Sequence, residues 1–117
     1  MEDNKRRFAR IPVKVQVFLR DVDTSAVIYF YSRNLSTGGI FLETELYLDE
    51  KSKVNIEFTV PGHPKFISVE AEVAWTVPED WDPRIHPPGM GLKFLKISEE
   101  NKKIIESYIA MKANKIF

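Results

Sequence analysis

Two short clusters of residues carry the groups that could do chemistry in this chain. The first comprises Arg6, Arg7 and Arg10, with Lys5 directly before them, and the second is Asn-Leu-Ser-Thr-Gly-Gly at residues 34–39. A guanidinium group presents paired planar donors that match phosphate oxygens and the O6 and N7 edge of guanine, and its flat face stacks on a purine. Such side chains are typical of a site for a guanine nucleotide.

The second cluster complements the arginines. Asn34 offers an acceptor and two donors to a base edge, and Ser36 adds a hydroxyl group. Gly38 and Gly39 have no side chain to prevent close approach to the backbone. The same six residues also have a plain interpretation as a β-turn, because Asn, Ser and Gly are frequent in turns.

Alternating apolar residues predict the strands that position both clusters. Six segments alternate or are rich in β-branched and aromatic residues, at about 12–19, 27–33, 40–45, 54–60, 67–75 and 90–94. If the first two strands are neighbours, the start of the first lies beside the end of the second. Both clusters would then meet at one pole of the sheet. Trp75 continues the alternation of the fifth strand and is interpreted as a core-packing residue.

The end of the chain predicts a single helix. Ser98 is suited to cap its N-terminus, Glu99 and Glu100 fall in the first turn, and residues 104–109 carry an apolar stripe that packs on the sheet or forms a dimer contact. Six evenly spaced strands and this helix predict an all-β-dominated fold, a six-stranded antiparallel β-barrel with one C-terminal α-helix. The 117 residues are expected to form one domain, with a flexible basic arm at 1–11, the barrel at about 12–97 and the helix at about 98–113.

Composition argues against several classes of function. The chain has no cysteine, which excludes thiolate metal sites and a cysteine nucleophile, and two histidines, His63 and His86, are too few for a metal site. Seventeen basic and seventeen acidic residues give zero net charge, so nucleic acid is not expected as a partner. No Ser/His/Asp set or phosphate-binding loop is visible, so neither catalysis nor a bound cofactor is expected.

The distribution of apolar residues bears on location. No apolar run follows the charged N-terminal residues, and no stretch of about 18 consecutive apolar residues occurs anywhere. A cytoplasmic protein without membrane insertion is therefore expected.

The two clusters in this order resemble the bipartite signature of PilZ domains, Arg6-x-x-x-Arg10 followed by Asn34-x-Ser36-x-x-Gly39. The resemblance implies a single PilZ-like domain over 1–117 with a PilZ-type six-stranded barrel that binds cyclic di-GMP. It implies that Arg6 and Arg10 contact guanine and phosphates. The residues of the second motif, with Gly38, would then lie on the other side of the ligand.

Two further features extend this resemblance. The segment Gly-Met-Gly-Leu-Lys-Phe at 89–94 is similar to the glycine-rich final barrel strand of the family. In the family, the residue before the first Arg of the signature biases the number of ligands, and here that residue is the basic Lys5. Arg7 adds another cation, and cations offset the repulsion between the phosphates of two stacked ligands. Two ligands per chain are therefore expected.

Two functions are left open by these observations. One is a cyclic di-GMP receptor that signals when ligand orders its N-terminal arm, through contact with an unidentified downstream protein or through a homodimer. The alternative is a PilZ-like module that acts through protein contacts and does not bind nucleotide. The intact motif residues favour the receptor.

Overall fold

A computed structural model of the chain describes residues 10–21, 23, 25–78, 84 and 87–114. The strands in these ranges are β1 (Ile11–Pro12), β2 (Gln16–Asp21), β3 (Val27–Leu35), β4 (Gly39–Glu43), β5 (Lys53–Val60), β6 (His63–Val77) and β7 (Gly89–Lys96), and they are followed by the helix α1 (Glu99–Asn114). Four residues named in the sequence analysis lie outside the described ranges, namely Lys5, Arg6, Arg7 and His86.

The strands close into an antiparallel barrel. Around the barrel the order is β3-β2-β5-β6-β7-β4, and β4 pairs with β3 again, so that six strands form a ring. The two residues of β1 add a short antiparallel pairing to β3. The predicted six-stranded antiparallel barrel with one C-terminal helix is therefore confirmed.

Alternation along the strands fills the interior of the barrel. Inward side chains such as Val17, Ile56 and Phe58 are fully buried, because every second residue of a strand points to the same face. From α1, Ile105 and Tyr108 join this core, so the apolar stripe of the helix packs against the barrel. Exclusion of apolar surface from water is the main stabilising contribution of such a core.

The start of α1 also follows the prediction. The hydroxyl oxygen of Ser98 accepts a hydrogen bond from the backbone N–H of Asn101 at 3.1 Å. This bond satisfies one of the four N–H groups that have no partner within a helix. Ser98 is thus the N-cap, and the acidic Glu99 and Glu100 occupy the first turn.

A buried serine explains why the first predicted strand is divided into β1 and β2. The hydroxyl of Ser32, on β3, donates to the carbonyl oxygen of Val13 at 2.6 Å and accepts from the N–H of Val15 at 2.9 Å. The N–H of Ser32 donates in turn to the carbonyl oxygen of Val15 at 2.9 Å. A side chain therefore replaces part of the regular ladder between the strands, and residues 13–15 leave strand geometry while Val13 stays buried.

We expect Ser32→Ala to lower the free energy of unfolding by about 1–3 kcal/mol, because the buried carbonyl of Val13 and the N–H of Val15 lose their partner. Urea unfolding at a constant m-value measures this difference. Ser68→Ala is the matched control, since its exposed hydroxyl lies 3.3 Å from Oε2 of Glu57, and its effect should stay within about 0.5 kcal/mol. Equal effects of the two substitutions would refute the bridging role of Ser32.

Candidate functional site

The short strand β1 positions Arg10 beside the second cluster. In the β1–β3 pairing, Ile11 lies opposite Leu35 and Pro12 lies opposite Asn34. Arg10 directly precedes this pairing, and its Nη1 donates a hydrogen bond to Oδ1 of Asn34 at 2.6 Å. The structure therefore brings together Arg10 of the first cluster and Asn34 of the second.

Trp75 forms a flat surface next to Arg10. The guanidinium carbon of Arg10 lies 5.7 Å from the centre of the indole ring, which is within the range of a cation–π contact. The ring of Phe41 stacks on the indole with a centroid distance of 6.2 Å and an interplanar angle of 28°. The indole remains 39 % exposed, so the interpretation of Trp75 as a core-packing residue is wrong.

A change of register turns Trp75 out of the core. In the β6–β7 pairing, Val73 lies opposite Leu92 but Trp75 lies opposite Gly91, so the register shifts between the two pairs. One extra residue, Ala74, is accommodated on β6, and such bulges re-aim the side chains that follow them. Simple alternation would have kept Trp75 on the same face as Val73.

Glycines on β7 make room for the two aromatic rings. A Cβ atom added to Gly91 would overlap the indole of Trp75, and one added to Gly89 would overlap the ring of Phe41 and the carbonyl oxygen of Leu42. The two glycines therefore allow the rings to lie directly on the backbone of β7. This gives the glycine-rich segment at 89–94 a physical reason.

The turn between β3 and β4 is held by Ser36. Its hydroxyl oxygen accepts hydrogen bonds from the N–H groups of Gly38 and Gly39, both at 3.2 Å, and the side chain is 1 % exposed. A Cβ atom on Gly39 would overlap the carbonyl oxygen of Leu92 on β7. In this structure Ser36 and Gly39 therefore shape the turn, and Ser36, Thr37 and Gly38 border the open space beside it.

A groove of about 470 Å³ lies along this turn. Its walls come from the turn, from β6 and β7 and from α1, and its lining includes Arg10, Trp75, Lys93 and Lys102. Three of the lining side chains are cationic and none is acidic. A second groove of about 240 Å³ is also lined by Trp75 and contains Asn34. The indole therefore has open space on two sides, one of them rich in positive charge.

Arg10 is the cation whose surroundings point most clearly to an anion. Partial burial lowers the pKa of Arg10 from its ordinary value, but a guanidinium group stays charged at neutral pH. Among the described residues, its hydrogen-bond partner is the neutral amide of Asn34. Arg33, by contrast, lies 3.6 Å from the carboxylate of Glu43. A partly desolvated cation that has no carboxylate partner among the described residues is suited to bind an anionic ligand.

Sequence reasoning missed three side chains of the groove, namely Trp75, Lys93 and Lys102. Alternation along β6 could not reveal Trp75 as a groove residue, because the bulge turns its side chain from the inner to the outer face of the barrel. Lys93 lies in the glycine-rich segment that drew attention only for its glycines, and Lys102 lies one turn into α1. A sequence cannot show that a helix reaches the same groove as a distant turn, because that contact depends on how the helix docks on the barrel.

Two classes of feature are absent from the described part of the chain. Residues 10–21, 25–78 and 87–114 contain no helix long and apolar enough to cross a membrane. In the same ranges, no three or more His, Cys, Asp or Glu side chains are grouped so that they could hold a metal ion. The chemical groups of the candidate site are its cations, the amide of Asn34 and the indole of Trp75.

Comparison with known families gives one match. Residues 4–111 match the family model described as PilZ domain. A comparison with curated proteins gives no match. The matched range covers both clusters and most of α1.

Solved structures resemble this fold at low sequence identity. The Bacillus subtilis inhibitor of motility (MotI/DgrA) matches with a TM-score of 0.76 and 22% identity, over 95% of this chain and 52% of that one. This chain thus spans about half of its length. The PilZ domain of YcgR with c-di-GMP, from Escherichia coli, matches with a TM-score of 0.70 and 19% identity, over 96% and 94% of the two chains. The PilZ domain of CeSA from a cellulose-synthesizing bacterium matches with a TM-score of 0.62 and 15% identity, over 90% of this chain and 98% of that one.

We expect Gly39→Ala to destabilise the fold by about 1–3 kcal/mol, because the added methyl group must displace the backbone of β7 at Leu92. Thermal or urea unfolding of the unliganded protein measures the effect. Thr37→Ala, in the same turn but at the edge of the groove, is the matched control and should change stability by less than about 0.5 kcal/mol. Full stability of Gly39→Ala would contradict the close approach of β4 to β7.

Proposed function

The chain belongs to the PilZ domain family, and on that premise we propose that it is a receptor for cyclic di-GMP. The ligand binds at the groove between the β3–β4 turn, β7 and α1. Two solved structures of the same fold, both of YcgR, contain c-di-GMP. Their similarity to this chain supports the fold, and the ligand is argued from the site itself.

The observation that carries the proposal is the position of Arg10. Its guanidinium group lies over an exposed indole, is partly desolvated and has a neutral amide as its partner. Cyclic di-GMP has two guanine bases and two phosphates, so it offers flat rings to Trp75 and anionic oxygens to Arg10. Arginine suits both tasks, because its planar donors bind phosphate or guanine while its face stacks on a ring.

Other residues of the two motifs and of the groove add to this contact in the proposal. Arg6 acts with Arg10 on guanine and phosphates, and Asn34 presents its amide to a guanine edge. Gly38 gives the ligand access to the backbone of the turn, which Ser36 holds in place. Lys93 and Lys102, which border the same groove, offset the remaining negative charge of the phosphates.

The proposed signal starts from the arginine motif, which directly precedes β1. We propose that ligand draws Arg6 toward Arg10, which already contacts Asn34 and Trp75, and so orders the basic arm that precedes β1 against the barrel. The newly formed surface then contacts a downstream protein in the cytoplasm. The chain acts as a receptor and adaptor in this scheme and carries out no catalysis.

Calorimetric titration with cyclic di-GMP tests the proposal, with GTP and cyclic GMP as competing guanine nucleotides. We expect a dissociation constant in the micromolar range or below. Arg10→Ala should weaken binding about tenfold to a few hundredfold, because a charge-assisted bidentate contact contributes roughly 1.5–3 kcal/mol. Arg10→Lys should be nearly as damaging, since an ammonium group cannot replace the guanidinium fork.

A control variant separates the loss of a positive charge anywhere on the protein from its loss at the position of Arg10. Lys112→Ala removes one cation from the last turn of α1, where the side chain is exposed, and should leave affinity unchanged. Absence of both heat and spectral change with ligand at about 100 µM would exclude even a weak specific site near −6 kcal/mol. In that case the chain is a PilZ-like module that acts through protein contacts alone.

The number of ligands is tested by a single substitution at the start of the motif. We expect two cyclic di-GMP molecules per chain, and a shift toward one in Lys5→Leu, because Lys5 helps to offset the charge of the second ligand. Binding should also weaken with rising salt, since several exposed charges are paired. Calorimetric stoichiometry and native mass spectrometry at low salt measure the ratio. A one-to-one complex of the unaltered protein would disprove the two-ligand prediction and leave the receptor proposal intact.

A further inference from the structure

The outer face of the barrel carries an aromatic surface that the candidate site does not use. It comprises Phe18 on β2, Tyr29 and Tyr31 on β3 and Phe66 on β6, and is called the aromatic face below. The ring of Tyr29 lies 6.4 Å from that of Phe18 and 6.2 Å from that of Tyr31. Phe18, Tyr29 and Tyr31 therefore form one run of neighbouring rings, and Phe66 borders the groove beside Phe18.

Three of these rings are largely exposed to solvent and take no part in the core of the barrel. Tyr29, Tyr31 and Phe66 are 56%, 44% and 53% exposed, while the inward residues of the same strands fill the core. An aromatic side chain buries about 150–250 Å² when it is covered, so three half-exposed rings leave on the order of 300 Å² of surface to cover. Apolar patches of roughly that size on a monomer are often binding sites.

Opposite charges border the aromatic face. A groove of about 290 Å³ is lined by Phe18, Arg20 and Glu57, among others. Glu57 lies directly opposite Phe18 in the β2–β5 pairing, and Arg20 follows two residues further along β2. Both charged side chains are exposed. Their hydrogen bonds within the chain are long, 3.4 Å from Arg20 to the carbonyl oxygen of Ser25 and 3.3 Å to Glu57 from Ser68.

We propose that the aromatic face binds a second copy of this chain across a twofold axis. In such a contact each residue pair occurs twice with the roles exchanged. Arg20 and Glu57 are diagonal neighbours in the β2–β5 pairing, so an axis that passes between them brings Arg20 to the partner's Glu57 and Glu57 to the partner's Arg20, next to the ring of Phe18. A surface that carries both charges is complementary to itself in this way, and the chain's zero net charge lets two copies approach without overall repulsion.

The charge pattern favours a second copy over a strongly charged partner. A nucleic acid or an acidic peptide would be matched by a run of cations without acids, but here Arg20 and Glu57 stand side by side in the groove, and Lys14, over the ring of Tyr31, adds one further cation to the face. The aromatic face is also distinct from the groove of Arg10, since the two grooves share no lining residue. The dimer therefore leaves the proposed ligand site open.

Analytical ultracentrifugation of the unliganded full chain tests the dimer. A small interface is weak, so the concentration should span about 10–500 µM, and the mass should rise from 13.6 kDa toward twice that value. Tyr29→Ser should keep the protein monomeric over this range. Met111→Ser, at a residue of α1 that is 44% exposed, is the matched control and should associate like the unaltered protein. A monomeric unaltered protein at every concentration would overturn the proposal.

Charge reversal tests the twofold arrangement itself. Arg20→Glu and Glu57→Arg should each be monomeric, because each places like charges opposite one another. An equimolar mixture of the two variants should dimerise again, since one chain then presents two carboxylates and the other two guanidinium groups. Circular dichroism checks that both variants are folded. A mixture that stays monomeric, or a single variant that associates like the unaltered protein, would refute the reciprocal pairing. Cyclic di-GMP binding is measured separately, so failure of the dimer does not affect the receptor proposal.

Discussion

Closure of the barrel between β3 and β4 is the constraint on which the candidate site depends. The closing pairs join Asn34 to Phe41 and Leu35 to Ile40, so the turn between them must be tight and must stand against β7. Ser36 satisfies the N–H groups of that turn from within. The groove, the position of Asn34 and the support beneath the indole all follow from this closure, because a barrel without free edges leaves its strands little freedom to move apart.

The site combines a rigid floor with a single less constrained contact. The rings of Trp75 and Phe41 rest on a strand whose glycines Gly89 and Gly91 admit them, and backbone pairing on both sides fixes that strand. Arg10 is attached differently, through the two residues of β1 and one bond to Asn34. Local stability is expected to be lowest where few backbone bonds and little burial hold a segment. A preformed stacking surface with an adjustable cation is well suited to recognition.

The sequence was sufficient for the fold because strand alternation and helix capping are local signals. The six strands, their antiparallel closure and the N-cap at Ser98 agree with the structure. The features that the sequence did not reveal depend on contacts between distant segments. Ser32 divides the first predicted strand through bonds to residues 13–15, and the bulge before Trp75 reverses a ring that alternation places inside. Ser36 and Gly39 stay predicted ligand contacts, and their burial within the turn gives them a role in the fold that the sequence did not reveal.

Through its hydrogen bond to Arg10, the amide oxygen of Asn34 competes with an anionic ligand for one N–H group of the guanidinium. Nη1 of Arg10 donates one of its two N–H groups to the amide oxygen, so an incoming anion that needs this N–H, and not one of the four others of the guanidinium group, must displace Asn34. The observed affinity of such a site is the intrinsic affinity reduced by the fraction of molecules in which the donor is released. The concentration at which the site fills can thus be tuned by a residue pair inside the protein, through the strength of one bond, without altering any atom that faces the bases.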